Sequence, residues 1–341
     1  MPARVLHLLP TLHATDAARR VAVLCERLPR EEYEQHVAAL NATGAAGPRL
    51  GELAAGVHGL DRRFRRDPFV WRRLRRLVRS LAIDIVHAWG DDAAQFAALS
   101  GRRAVRAEAT PDAESGWPAN RLARFTPPMP EPDWDPQPVA EALGPPPPLP
   151  AEIAEQLPVG AKLIGVAAPL VPASGLKDLI WALDLVRVMD PNVWLLVLGD
   201  GPQRESLAEF SRLACEENRT LLLGDRDDLA DLLPHLHLWW EGGRPAVAPV
   251  AVFQAMAASL PLVANRCEAL EPLIPVTASG RLVTPGDRAE WAKATLRILE
   301  DGSHRQAMGY AAKHRGAGLA WPSQFVDACR QAYRPAYLRG R

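Results

Sequence analysis

Residues 236–265 read LHLWWEGGRPAVAPVAVFQAMAASLPLVAN, and three segments follow one another in that stretch. A short apolar run holding Trp239 and Trp240 ends in Gly242-Gly243, which reads as a strand stopped by a glycine turn. Val250, Phe253, Ala257 and Leu260 then recur at helical spacing. Pro261 to Ala264 follows as a short buried strand. Strand, helix, strand is the repeating unit of parallel α/β layers, since parallel strands need a crossover and a helix is the usual one.

The same alternation extends in both directions. RVLHLLP opens the chain as a strand, followed by a helix from about Asp16 to Leu28 and a strand around His36–Leu40. A helix over about Asp67–Leu81 leads into the strand Asp84–Ala88, then a helix over about 91–100 and a strand over 104–109. Residues 127–150 are dense in proline, including Pro145 to Pro148, and read as an extended, semi-rigid linker because proline fixes φ and removes a donor. The pattern restarts with the strand Lys162–Ala167, the helix Leu176–Val188 and the strand Trp194–Leu198. Helices near 203–216 and 227–233, the strand Arg281–Val283, a helix over 288–299 and terminal helices to about Tyr337 complete the chain. The expected division is 1–126, a linker 127–150, 151–320, and a final helix 321–341 returning to the first domain.

At 341 residues the chain suits two domains with substantial cores. Lys plus Arg and Asp plus Glu both number 40, so no bulk field steers it to nucleic acid. Cys25, Cys215, Cys267 and Cys329 are far apart, which gives no zinc spacing and argues for a reduced, cytoplasmic protein. No apolar run approaches the roughly 18 residues of a membrane span. Val5–Leu9 is too short for a signal peptide and reads as a first strand.

The phrase QAMAASLPLVA resembles EAMAxGxPVVA of the family-4 glycosyltransferases. VLGDGPQRESL, RTLLLGDRDDLADLLPHL and GRLVTPGDRAEWAKATLRILED resemble further family phrases in their expected order, as do VLHLLPTL and DIVHAWG in the first half. The resemblance implies an α/β protein of the GT-B fold, two Rossmann-like doubly wound domains facing a central cleft. It also implies glycosyl transfer from a nucleotide-sugar to a glycan or lipid-linked acceptor, without a metal or other cofactor.

The family holds its donor with two glutamates and with an arginine and a lysine five residues apart in a phrase like GRLVPxKG. This chain reads APLVPASG, so Pro169 and Ser174 stand at the basic positions, and Ala246 and Gln254 stand at the acidic ones. A charge-assisted hydrogen bond contributes roughly 1.5–3 kcal/mol, so losing three or four removes on the order of 6 kcal/mol. Millimolar to micromolar binding amounts to only about 4–8 kcal/mol. No catalytic residue is assigned on this basis, and Gln254 is left as a neutral partner for a ribose hydroxyl. Lys177, Arg244 and Glu241 are the nearest charged residues in sequence that could compensate, although Lys177 and Arg244 suit exposed surface equally well. Gly199 and Gly201 lie in a strand-to-helix turn that either approaches an anion or merely closes the connection. By resemblance Gly224 and Arg226 lie beside the nucleobase, and His87 matches a histidine of a VHAHG-like phrase at the cleft end of its strand. Leu12–Asp16 lacks the family's Gly-Gly pair, so Thr15 or Asp16 is expected to cap a helix. The short span between Thr110 and Pro127 suggests a trimmed first domain.

Arg62, Arg63, Arg65 and Arg66 precede a helix bearing Arg72, Arg73, Arg75, Arg76 and Arg79 on one side and Val70, Leu74, Leu77, Val78 and Leu81 on the other. That pattern is a packed helix with a basic outer face. Solvated charge accounts for it, or else contact of Arg62–Arg79 with a polyanionic acceptor or, peripherally, with anionic lipid, at the inner face of the membrane for a cytoplasmic protein. Nucleic acid is not expected, for want of an aromatic platform beside the arginines. Three readings follow: a glycosyltransferase-like protein with altered or lost donor chemistry, a non-catalytic partner subunit using the cleft or the basic helix, and, last, a sugar-nucleotide epimerase, for which carboxylates are scarce.

Overall fold

The computed structural model describes residues 2–64, 67–107, 122–125, 148–214, 219–245, 248–274, 278–318 and 323–337. The chain forms two compact units, Met1–Pro128 with Pro322–Arg341, and Met129–Trp321. Apart from 148–150, the expected linker lies outside the described residues.

The first unit contains β1 (Ala3–Thr11), α1 (Asp16–Arg27), β2 (Tyr33–Asn41), α2 (Gly47–Leu53) and β3 (Gly56–Gly59). It continues with α3 (Pro68–Ser80), β4 (Ile85–Trp89), α4 (Asp91–Ala98), β5 (Arg103–Ala107) and β6 (Leu122–Phe125). The second unit runs α5 (Ala151–Ala154), β7 (Lys162–Ala167), α6 (Leu176–Met189), β8 (Val193–Leu198), α7 (Arg204–Ala214), β9 (Thr220–Gly224) and α8 (Leu229–Leu232). Then come β10 (Leu238–Glu241), α9 (Val250–Ala257), β11 (Leu262–Asn265), β12 (Gly280–Val283), α10 (Arg288–Glu300) and α11 (Gly302–Gly318). The last helix, α12 (Ser323–Tyr337), packs on α1 and β6 of the first unit.

Both sheets are parallel throughout, with orders β3-β2-β1-β4-β5-β6 and β12-β11-β10-β7-β8-β9. Counted from each unit's own first strand, the two orders are the same doubly wound order. Each sheet therefore reverses direction once, between β1 and β4 and between β7 and β10. Loops that leave the carboxyl ends of the strands there diverge and leave room for a ligand.

Covered on both faces, the central strands are continuous apolar runs. Val5, Leu6, Leu8 and Leu9 of β1 are fully buried, as are Leu195 and Leu196 of β8. Thr15 caps α1, its hydroxyl accepting from Ala18 N at 3.4 Å, while Asp16 pairs with Arg20 at 2.6 Å. In the second unit Trp240 lies edge-on to Trp291 at 5.3 Å and donates its indole N–H to Thr295 Oγ1 at 3.1 Å, fixing β10 to α10. Ser259, just past α9, takes φ 59°. Any residue other than glycine pays roughly 1 kcal/mol or more in that left-handed conformation.

Five elements were not anticipated: α2, β3, α5, β6 and β9. α2 and β3 follow β2 immediately, and the four residues of β3, GVHG, are too few to show a period. β6 lies in the span taken as trimmed, where it adds a sixth strand to the sheet.

Candidate functional site

The second unit's reversal point is built by the loops that follow β7 and β10. After β7 the chain runs through Ala168–Gly175, with Pro172–Ser174 as one 3-10 turn. Gly175 takes φ 67°, and a Cβ there would fall 2.4 Å from Gly242 O. A Cβ on Gly242 would in turn fall 2.7 Å from Leu179 Cδ1. Glycine at both positions lets the two loops touch backbone to backbone. Asn265, at the end of β11, completes the join: Nδ2 donates to Gly242 O at 2.5 Å and Oδ1 accepts from Trp291 Nε1 at 3.2 Å.

Pro169 and Ser174, separated in sequence, are brought together here. Ser174 is 7% exposed and its hydroxyl donates to Pro169 O at 2.6 Å, so the loop is closed on itself by a neutral hydrogen bond. Gln254 sits on α9, with Oε1 buried and without a hydrogen-bond partner. That carbonyl oxygen can accept from a hydroxyl or N–H of a ligand. Ala246 lies outside the described residues.

Of the charges expected to compensate, Glu241 and Arg244 belong to the end of β10 and its loop, and Lys177 lies in the first turn of α6. Glu241 is buried at the end of β10, and its Oε1 accepts from Gly243 N at 3.0 Å, turning the carboxylate onto its own loop. Lys177 is exposed, with Nζ 5.6 Å from the centre of the Phe210 ring on α7. Arg244 is exposed on the loop after β10. Cys267 Sγ lies 3.8 Å from Pro245 O; burial, with Glu241's charge adding to it, raises the thiol's pKa and keeps it protonated.

The loop after β8 offers no spare amides at the two expected glycines. Gly199 N donates to Gly224 O at 2.7 Å, and Gly201 N donates to Asp200 Oδ1 at 2.7 Å. A Cβ on Gly201 would lie 2.7 Å from Leu170 O, so this glycine serves the close packing of two loops. Arg226 is likewise engaged: its guanidinium forks onto both oxygens of Asp228 and reaches Glu152 Oε1 at 2.9 Å. Gly224 holds φ 78° where β9 ends.

A family model described as glycosyl transferases group 1 matches residues 151–315, and one described as glycosyltransferase family 4 matches residues 17–111. The chain resembles the family-4 glycosyltransferases. It is 26% identical over 137 residues to N-acetyl-alpha-D-glucosaminyl L-malate synthase of Bacillus anthracis, covering 40% of this chain and 36% of that protein. It is 26% identical over 175 residues to sulfoquinovosyl transferase SQD2 of Arabidopsis thaliana, covering 49% of this chain and 34% of that protein. The chain thus spans about a third of the length of these curated relatives. In three dimensions it matches Anabaena HepE, solved with UDP and glucose, at a TM-score of 0.73 and 16% identity over 97% of this chain and 99% of that one. At that identity the likeness shows the fold, which is GT-B.

In the first unit of this glycosyltransferase-like chain, His87 is not at an opening. It is fully buried on β4, its Nδ1 hydrogen-bonded to the Tyr333 hydroxyl at 2.6 Å, with Trp89 packed on its ring at 4.3 Å. His7 lies beside it, donating from Nε2 to Gln35 Oε1 at 3.1 Å and accepting from Trp89 Nε1 at 3.4 Å. His87 therefore anchors α12 to the sheet, and the expectation of a ligand contact is replaced by a packing role.

The basic helix also differs from expectation. Arg62 is paired with Asp92 at 2.9 Å, and Arg73 donates to Asp61 O at 2.9 Å and Asp67 Oδ2 at 3.1 Å. Arg65 and Arg66 lie outside the described residues. Arg72, Arg75, Arg76 and Arg79 line a surface groove with Trp71, and Arg75 stacks on the Trp71 ring at 4.8 Å. Phe64 and Phe69 are each 57% exposed nearby in sequence. Aromatic side chains therefore accompany the arginines, contrary to the expectation, and Trp71 directly before Arg72-Arg73 is the sequence feature that marks them.

Proposed function

We propose that this chain is a family-4-type glycosyltransferase-like protein whose donor site has become neutral, so that ordinary transfer from a nucleotide-sugar is lost or strongly altered. The carrying observation is the Ser174–Pro169 hydrogen bond, which joins the two positions where the resemblance expects an arginine and a lysine. Leaving-group charge in such a transfer needs cationic or dipolar support. Glu241 is turned inward, Arg226 is neutralised by two carboxylates, and the Gly199 and Gly201 amides are already bonded. Gln254 keeps one acceptor for a hydroxyl. Calorimetry with UDP-, GDP- and ADP-sugars tests the reading. Dissociation constants weaker than about 1 mM are expected, equivalent to less than about 4 kcal/mol. Micromolar binding of any of them overturns it.

A second reading, favoured by the Trp71–Arg75 stack and by exposed Phe69 on the same helix, is peripheral contact between the α3 face and an anionic lipid surface. No helix among the described residues is long and apolar enough to cross a membrane, so such contact would be interfacial. Each basic residue near an anionic leaflet contributes roughly 1 kcal/mol, and the aromatic rings add apolar insertion. Co-sedimentation with phosphatidylglycerol vesicles is expected to fall more than about tenfold on R72E/R76E/R79E. Equal binding to neutral phosphatidylcholine vesicles would contradict this reading.

A further inference from the structure

The first sheet's outer edge carries a pair of imidazoles that neither the fold's ligand site nor the α3 face uses. On β2, His36 is 5% exposed and pairs in register with Gly56 of β3; His58 follows two residues later on the same face of that edge strand. The rings lie with centroids 5.9 Å apart. Gly56 has no side chain, and the space a Cβ would take there lies 3.1 Å from His58 Nε2 and 3.7 Å from His36 Nδ1. Both nitrogens are buried and neither has a hydrogen-bond partner.

The outward-facing chemistry of His36 is already fixed. Its Nε2–H donates to Glu34 Oε1 at 3.1 Å, and Glu34 is itself held by Arg4 Nε at 3.0 Å. A carboxylate accepts only, so in the neutral ring the proton is on Nε2 and Nδ1 presents a bare lone pair. A carboxylate behind an imidazole is the outer-shell arrangement that orients metal-bound histidines and raises their basicity. Burial, and after it the proximity of His36, lowers the pKa of His58, which leaves that ring neutral and able to ligate at pH 7.

We propose that His36 Nδ1 and His58 Nε2 form a two-imidazole site for a borderline divalent transition-metal ion such as Zn²⁺. Imidazole nitrogen suits Zn²⁺, Ni²⁺ and Cu²⁺ in preference to Mg²⁺ or Ca²⁺, which take oxygen. Zn–N bonds are about 2.0–2.1 Å, so ligation draws the two rings together, and half-exposed His58 on its short edge strand is the one free to turn. No group of three ligating side chains occurs among the described residues, so water completes the shell. Such an ion ties β3 to β2 through side chains and gives the edge of the sheet a link beyond its backbone ladder.

Zn²⁺ titration of the full chain by calorimetry, with Mg²⁺ as control, and Cu²⁺ electron paramagnetic resonance test the site. Wild type is expected to bind one Zn²⁺ saturably, to gain thermal stability on binding, and to show two nitrogen ligands to Cu²⁺. His58→Ala should lose that binding event, while Glu34→Gln should weaken it by about 10–100-fold. Gly56→Ala keeps both imidazoles and should lose the site too, because its methyl fills the shared space. Absence of saturable Zn²⁺ binding, or Zn²⁺ affinity and Cu²⁺ signal unchanged in folded His58→Ala and Gly56→Ala, overturns the proposal.

Discussion

Pro169→Arg, Ser174→Lys, Ala246→Glu and Gln254→Glu together are expected to bring nucleotide binding from weaker than about 1 mM into the range of about 10–100 µM, a gain of at least about 1.4 kcal/mol for each tenfold. Pro169 is exposed, so an arginine there has room. Ser174 is buried and bonded to Pro169 O, so a lysine must leave that pocket and break a hydrogen bond of roughly 1 kcal/mol. The combined variant should therefore melt somewhat lower than wild type yet bind better. Gln254→Glu alone adds a partly buried carboxylate without restoring either cation at 169 or 174, which disfavours a diphosphate and costs stability. Calorimetry against UDP, GDP and ADP decides. A folded quadruple variant that binds none of them would mean that the tight contact of Gly175 with Gly242 has reshaped the loops beyond what charge restores, and a partner-subunit role would then explain the chain better.

The second large effect is acid lability of the first unit. Burial, only partly offset by the Gln35 hydrogen bond, lowers His7 from 6.5 to about 4. Burial first, then the charge His7 would carry, lowers His87 well below the ordinary range. In both, the unfolded chain takes up protons before the folded one, so stability is intact above pH 6.5 and is lost as the pH falls from there. For His7 the loss is complete near pH 4 and comes to about 3 kcal/mol, at 1.36 kcal/mol per pKa unit; His87 adds to it in the same direction. Calorimetric scans between pH 7.5 and 4.5 should show the transition that contains β1, β4 and α12 falling steeply, and His7→Gln should flatten the fall. A melting temperature level from pH 7 to pH 5 would refute it.

The sequence displayed the long elements because their periods were long enough to read. Lys162–Ala167 and the helices on either side of the linker span several turns or a full buried strand, so apolar spacing marked them. GVHG and LARF did not show a period because the first offers one side chain to each face and the second only two. The donor-site positions were legible as residue types, since proline, serine and glutamine stand where charge was expected. Their consequence was not, because a Ser174 hydroxyl bonded to a proline carbonyl depends on a 3-10 turn and a left-handed glycine that no spacing rule encodes. His87 shows the converse: the VHAHG-like phrase and the strand end suggested a ligand contact, but its partner Tyr333 lies 246 residues away in sequence. Only folding makes that partnership visible.

A binding loop that keeps cations close together in the absence of its ligand carries mutual repulsion, and the resting protein is less stable for it. The loop between Pro169 and Ser174 has no such burden: its hydroxyl and carbonyl satisfy each other, and no like charges are crowded there. Under the proposed loss of donor binding, that is an exchange of activity for stability at one site.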